Sequence, residues 1–365
     1  MILQQPDFLV RVSCMTYNHA PYIVDALNGF TMQETTFPFV CTVIDDASTD
    51  EEQEVIKAYL QEHFDLEDKS VARNEETDDY VLTFARHKAN QNCYFAVLYL
   101  KYNHYSIKKS KQPYIQEWTN TKYIAKCEGD DYWIDSTKLQ QQVAFLESHP
   151  DYIMCSHDII IYDNSIKRFN KNSVYNELFS SENRNNEFYD YSLNNYFDGW
   201  WTRPLSCIYR NGTYMNKIPK SKYRNYRDDV FFYYVLKQGK GALLNNVMAV
   251  YRVHGGGAWS SCSLMEMKRL SMNNAFNIYN VEKDRRAFKK ILRIQNEIAL
   301  LLLEDGNIKK FFNNLFCFIF KNPFPYDLFL LKKIDKFYVI KMLLHTSFHT
   351  IIKKLKPFYE HNTNR

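Results

Sequence analysis

Phe39 to Ile44 is a short, nearly continuous apolar run that lacks the alternation of a half-exposed strand. A strand of this kind has to be covered on both faces, which points to a parallel sheet with helices above and below. Asp45-Asp46-Ala47-Ser48-Thr49-Asp50 ends the run. Ser48 or Thr49 is placed to cap a helix carrying Val55, Ile56, Tyr59 and Leu60. The same order stands just before it. Leu9 to Met15 reads as a first strand, and Pro21 suits the first turn of a helix with Ile23, Ala26, Leu27 and Phe30 on one face. Strand, helix, strand, helix implies an α/β fold with ligands at the carboxyl ends of its strands.

Residues 64–120 are less regular, with a strand expected within 92–102 and a basic segment from His104 to Lys111. Tyr123-Ile124-Ala125 reads as a further strand. A helix with Leu139, Val143 and Leu146 on one face stops at Pro150, and Tyr152 to Ile161 gives another strand. A polar, Asn-rich stretch spans 163–196, and a second region runs from Trp200 to Arg252. The last hundred residues read as helical, with Ile308, Phe311, Phe312, Leu315, Phe316 and Ile319 at helical spacing and lysines between them. The expected organisation is a catalytic domain over 1–260, split into halves 1–120 and 121–260, and a helical basic region over 261–365.

The chain of 365 residues is long enough for a full catalytic domain and a smaller unit. Its net charge of +4 is too small to argue for nucleic acid. From Glu304 onward there are eleven Lys/Arg against five Asp/Glu, an excess of six that leaves the remainder at about −2. The eight cysteines lie far apart with no C-x-x-C spacing, so neither a zinc site nor a redox motif is indicated. No signal peptide precedes Phe8, and no run of about 18 uncharged apolar residues is present. A cytoplasmic location is expected.

Cys127-Glu128-Gly129-Asp130-Asp131-Tyr132-Trp133 carries the chemistry. Adjacent carboxylates at a strand end repel one another unless something positive sits among them, and a hard divalent cation is the usual answer. By itself such a Gly-Asp-Asp is equally a solvated turn. Its weight comes from Val12-Ser13-Cys14-Met15-Thr16-Tyr17-Asn18 and Ile44-Asp45-Asp46-Ala47-Ser48-Thr49-Asp50 ahead of it. In this order and spacing the chain resembles a family 2 glycosyltransferase of the GT-A fold over roughly residues 9–260. Cys127 to Trp133, with Lys138-Leu139-Gln140, is similar to the subgroup found in bacterial surface-polysaccharide clusters.

The resemblance implies a Rossmann-like, mostly parallel sheet flanked by helices, with a helical C-terminal extension. It also implies an inverting transferase that moves a sugar from a nucleotide-sugar donor to a glycan or lipid-linked acceptor. Thr16, Tyr17 and Asn18 would lie against the nucleotide. Asp46 would accept from N3–H of uracil or thymine, favouring a UDP- or dTDP-type donor, while one of Asp45 and Asp46 serves the helix-capping turn. Lys108 and Lys109, with His104 and Lys111, would bring positive charge to the diphosphate. Glu128, Gly129 and Asp130 occupy the Asp-x-Asp position, and the Glu at the first acid is a departure that turns it toward ribose or a metal-bound water. Asp130 would be the main ligand of Mg²⁺ or Mn²⁺, Asp131 the second, and His254, before three glycines, a third. Asp228 falls on the catalytic base, and Asp229 is one position away. Both acids also suit a helix N-terminus. Trp200, Trp201 and Arg203 fall on the acceptor side.

Two other readings stay open. A sugar-nucleotide nucleotidyltransferase would need a glycine-rich loop after the first strand, and Thr16 to Pro21 has no glycine. A non-catalytic glycan-binding module is kept alive by Glu128. The basic, apolar-striped tail suits a peripheral helix on an anionic membrane, or a helix packed on the catalytic domain.

Overall fold

The computed structural model describes residues 5–170, 187–199, 201–224, 226–257, 262–304 and 310. They fall into two compact units. The first holds the residues up to Ile218 together with Phe231–Gly257, and the second holds Pro219–Val230 and the residues after Gly257.

In chain order the elements begin with β1 (Val10–Thr16), α1 (Ile23–Thr31), β2 (Phe39–Asp45) and α2 (Glu52–His63). Then come β3 (Arg73–Glu76), β4 (Tyr80–Arg86), β5 (Cys93–Leu100), β6 (Tyr123–Lys126), β7 (Tyr132–Trp133) and α3 (Lys138–Ser148). β8 (Tyr152–Asp163), β9 (Arg168–Phe169), β10 (Phe188–Tyr191), β11 (Ile208–Arg210), α4 (Asp228–Leu236) and β12 (Lys240–Val253) follow. α5 (Leu264–Glu282) and α6 (Arg285–Glu304) close the described chain.

All twelve strands join one sheet, ordered β10-β12-β8-β11-β6-β1-β2-β5-β4-β3, with β7 on β12 and β9 on β8. β5, β2, β1 and β6 run parallel at its centre. This is the α/β architecture expected, with parallel strands at the centre of the sheet. The run at 39–45 is buried at every position, as its lack of alternation requires. Ile23, Ala26, Leu27 and Phe30 of α1 are fully buried against it. The irregular stretch after α2 resolves into the hairpin β3–β4, which pairs antiparallel with β5.

β11 is antiparallel to both β6 and β8, and β8 is parallel to β12. Two reversals restore the original direction, so β12 ends on the same side of the sheet as β1, β2 and β6. That register brings the loops after Thr16, Asp45, Lys126 and Val253 to one edge.

The start of α2 differs from expectation. No side chain caps it, and Glu51 stands at the cap position with φ 67°. The Ser48 hydroxyl is spent on the Glu52 carboxylate at 2.8 Å, and Asp50 Oδ1 accepts from Glu52 N at 3.3 Å instead.

In the second unit, α5 begins with a Ser263/Glu266 capping box, turns at Lys283 in the left-handed region and packs along α6. Lys268 pairs with Glu297 at 2.5 Å, and Tyr279 meets Phe288 at 5.4 Å. The apolar stripe and lysines expected after Glu304 lie outside the described residues, apart from Lys310. No described helix is long and apolar enough to cross a membrane. The seven described cysteines are free thiols, six of them buried.

Lys138, at the start of α3, is fully buried. Its ammonium donates to Gln142 Oε1 at 2.7 Å and sits 4.0 Å over the Trp133 ring. Burial pushes its pKa down to about 8 from 10.5. A base whose proton is lost more easily in the folded state costs stability while protonated. Stability therefore rises with pH between about 8 and 10.5 as the folded ammonium is neutralised first. Lys138→Met should remove that rise. Its stability relative to wild type should fall by about 3 kcal/mol across this window in denaturant melts, the linkage value of about 2.5 pKa units. Identical pH profiles for the two proteins would contradict the assignment.

Candidate functional site

The common edge of β1, β6 and β12 gathers three groups able to hold a cation. His19, Asp130 and His254 each offer a ligand atom, all within 4.8 Å of one another. His254 Nε2 lies 3.0 Å and His19 Nε2 3.8 Å from Asp130 Oδ2. The two imidazoles meet edge to face at 5.8 Å, and Tyr22 packs against His254 at 4.7 Å. Asp130 Oδ1 is buried without a hydrogen-bond partner. An ionised buried oxygen left in this way is costly, and a bound cation would satisfy it. Burial pushes the Asp130 carboxyl up, but the His254 hydrogen bond and the His19 and His254 imidazoles outweigh it and hold it below the usual carboxylate range.

The acid loop is locked from both sides. On one, Cys127 N donates to Ser13 O and Gly129 N to Met15 O. Gly129 has no alternative: a Cβ there would come 2.1 Å from Thr16 Oγ1. On the other, β7 pairs with Ala249 and Val250 of β12, which sets Asp131 against Arg252. Arg252 N donates to Asp131 Oδ1 at 2.8 Å, its Nε to Asp130 O at 2.9 Å and its Nη2 to Asp25 Oδ2 at 2.6 Å. Burial first, and the Asp130 charge second, push the Asp131 carboxyl well above its usual range. Asp131, expected as a second ligand, is thus engaged by β12, and the cluster's other members are the two histidines.

The residues expected to face a nucleotide fall on the adjoining loops. Thr16 is buried; its hydroxyl contacts Glu52 Oε1 and lies 3.2 Å from His19 Nδ1. Tyr17 is 43% exposed. Asn18, at φ 57°, ties the loop after β1 to the loop after β2: its N–H reaches Ser48 Oγ, and its Oδ1 accepts from Thr49 N at 2.8 Å. Glu52 is buried and receives His19 N at 3.0 Å and the Ser48 hydroxyl at 2.8 Å on Oε2. Burial raises the Glu52 carboxyl, and its three donors work against that.

Asp46 is buried and already engaged. It accepts from His104 N at 2.8 Å and Tyr105 N at 3.1 Å, and Lys111 Nζ lies 2.9 Å away. Lys109 is drawn to Asp79 Oδ1 at 2.7 Å and Tyr102 OH at 2.8 Å. Lys108 is exposed, at φ 56°. His104 bonds Tyr102 O and Tyr114 OH, and burial lowers its pKa, which disfavours the charged form. Glu128 is exposed.

Of the residues expected on an acceptor side, Trp201 stacks on Tyr189 at 5.2 Å and donates Nε1–H to Asn195 O. Arg203 is buried beneath Tyr251, 5.6 Å from its ring centre. Trp200 lies outside the described residues. In the second unit, Asp228 and Asp229 open α4, and Asp229 Oδ2 accepts from Asn274 Nδ2 at 2.6 Å.

Sequence reasoning missed His19, Glu52 and Arg252. For His19 the signal was available: it follows the first strand, and the loops after parallel strands share one edge with the loop that bears His254.

No family model matches the chain. Among curated proteins, it is 27% identical over 270 residues to an uncharacterized protein of Mycobacterium tuberculosis (strain ATCC 25618 / H37Rv), covering 69% of this chain and 61% of the relative. A counterpart in Mycobacterium bovis matches with the same figures. The chain therefore spans less than two thirds of the length of these relatives. Among solved structures, S. aureus TarS 1–349 in complex with UDP-GlcNAc is similar at TM-score 0.47 and 17% identity, covering 89% of this chain and 76% of that one. A mannosyltransferase from Pyrobaculum calidifontis in complex with GDP-Man and Mn²⁺ is similar at TM-score 0.44 and 12% identity, covering 89% and 79%.

Proposed function

We propose that the protein is an inverting, metal-dependent glycosyltransferase of family 2 type, acting in bacterial surface-polysaccharide synthesis on a nucleotide-sugar donor and a glycan or lipid-linked acceptor. The observation that carries this reading is the His19–Asp130–His254 cluster at the carboxyl edge of the parallel strands, with one carboxylate oxygen of Asp130 buried and unpartnered. Residues 1–260 form the catalytic domain in this reading, with 1–120 serving the nucleotide, 121–260 the metal and acceptor, and 261–365 a helical basic extension.

Asp130, His19 and His254 would hold the cation. A set with two imidazoles suits Mn²⁺ better than Mg²⁺, which favours an all-oxygen shell. A cation held by these three residues would supply positive charge for a nucleoside diphosphate leaving group. Tyr17 presents an exposed ring to the base, and Asp46 accepts from N3–H of uracil or thymine, which selects a UDP- or dTDP-type donor. Lys108 lies on the diphosphate side. Trp200, Trp201 and Arg203 belong to the acceptor region.

Asp228 is assigned as the base from its place in the sequence pattern. Its carboxylate takes the proton of the acceptor hydroxyl as that oxygen attacks the anomeric carbon and the nucleoside diphosphate departs. Asp229, bonded to Asn274, is the residue left to shape the helix start.

Asp130→Ala should abolish Mn²⁺-dependent binding of UDP, followed by calorimetry. Unchanged heats in the variant would sink the metal assignment. Asp228→Asn keeps the shape but cannot take a proton. Donor affinity should survive while transfer falls about 10²-fold or more, the usual scale for a lost general base. An active Asp228→Asn beside a dead Asp229→Asn would move the base by one residue.

The tail beyond Glu304 is proposed to hold the enzyme peripherally at the cytoplasmic face of an anionic membrane, each lysine adding roughly 1 kcal/mol at low salt. Removing residues 305–365 should abolish sedimentation with phosphatidylglycerol vesicles and leave UDP binding intact. Failure of the full chain to sediment at low salt would remove the membrane role.

A further inference from the structure

We propose that Glu52, acting through the Thr16 hydroxyl, fixes the ring proton of His19 on Nδ1 and so leaves Nε2 bare toward the Asp130 cluster. Glu52 is a positioning residue in this account: it touches neither substrate nor cation. The proposal rests on the reading of His19, Asp130 and His254 as a cation site.

The assignment follows from counting donors and acceptors. Glu52 Oε2 receives two hydrogens. One is the His19 amide at 3.0 Å, which can only donate. The other is the Ser48 hydroxyl at 2.8 Å, whose oxygen already accepts from Asn18 N at 2.9 Å and so has its own hydrogen to give. The remaining oxygen, Oε1, faces Thr16 Oγ1. An ionised carboxylate can only accept, so the single Thr16 hydrogen goes to Glu52. Thr16 Oγ1 then has only lone pairs for His19 Nδ1, 3.2 Å away. The contact is a hydrogen bond only if Nδ1 carries the proton. In the neutral ring Nε2 then carries a bare lone pair, 3.8 Å from Asp130 Oδ2. A neutral imidazole binds a metal through its unprotonated nitrogen, and its ring orientation is set by the bond that the other nitrogen makes.

The network also predicts how it fails. Glu52→Gln is nearly isosteric, but one of its two terminal atoms becomes an NH₂ donor. The position of Oε2 faces two donors, so the amide oxygen has to stay there. The NH₂ group then faces Thr16 and donates to Oγ1, which frees the Thr16 hydrogen for His19 Nδ1. The ring proton moves to Nε2 and blocks the ligand atom. A substitution that keeps volume, burial and fold thus reverses the polarity of the whole relay.

The test is a long-range ¹H–¹⁵N correlation spectrum of the full chain labelled at histidine nitrogens, recorded without metal, with His19 assigned by its loss in His19→Gln. In wild type and in Thr16→Ser, His19 should show a protonated Nδ1 and a bare Nε2. In Glu52→Gln the two signals should exchange roles, and Mn²⁺ affinity, read by the loss of free Mn²⁺ signal in electron paramagnetic resonance, should fall about 10- to 100-fold, the usual range for an outer partner of a ligand. Thermal melting of Glu52→Gln checks that it is folded. Thr16→Ser should keep the wild-type affinity. A proton on Nε2 in the wild type overturns the proposal, as does an unchanged tautomer in folded Glu52→Gln. The tautomer is read in the metal-free protein, so this failure is distinct from failure of the cation site itself, which shows as absent Mn²⁺ binding in wild type.

Discussion

Arg252 is the residue on which the site's geometry depends. Its amide binds the Asp131 carboxylate, its Nε the Asp130 carbonyl and its Nη2 the Asp25 carboxylate on α1. Its guanidinium lies over both Tyr22 and Tyr132, at 4.8 and 4.9 Å from their ring centres. Its planar guanidinium thus ties both α1 and the acid loop to β12, a role lysine's point charge could not fill. Two residues further on stands His254. The strand that supplies the clamp therefore also leads into His254, and the alignment of β12 with β1 brings both to the same edge.

This clamp separates two adjacent carboxylates that would otherwise share one fate. Asp131 is buried, satisfied by a backbone N–H and pushed toward its neutral form. Asp130 is turned to two imidazoles and held ionised. Neighbours in sequence thereby acquire different chemistry: one fixes the loop, and the other keeps its charge and one buried oxygen without a hydrogen-bond partner. Gly129 completes the arrangement, since only a residue without a side chain lets the loop lie flat on Thr16.

The parts of this structure legible in the sequence were those written in local pattern. The uniform apolarity of 39–44 gave a doubly covered strand, and the spacing of Ile23, Ala26, Leu27 and Phe30 gave a buried helix face. Asp130 and His254 could be singled out because acids at a strand end and a His before glycines are unusual locally. His19, Glu52 and Arg252 were missed because their roles are long-range. Arg252 lies 121 residues from Asp131 in sequence, and its contact exists only through the β7–β12 pairing. Glu52 stands in the first turn of a helix, where an acid is ordinary. Its burial follows from how closely the loops after β1 and β2 approach, which no single segment encodes. The capping of α2 was misread for the same reason: the Ser48 hydroxyl was claimed by Glu52, and Asp50 took its place at the helix start.

Asp46 shows how one carboxylate can hold two loops at once. The backbone N–H groups of His104 and Tyr105 and the Lys111 ammonium pin the loop after β5 to the end of β2. A carboxylate has acceptor sites for about four donors, so these three leave room for one more. The same bonds project the Tyr105 side chain, 82% exposed, outward from that edge. Asp79 anchors the far side of the loop through Lys109 and Tyr114. The basic segment is therefore tied down mainly by its acids, and of its lysines Lys109 and Lys111 are already paired.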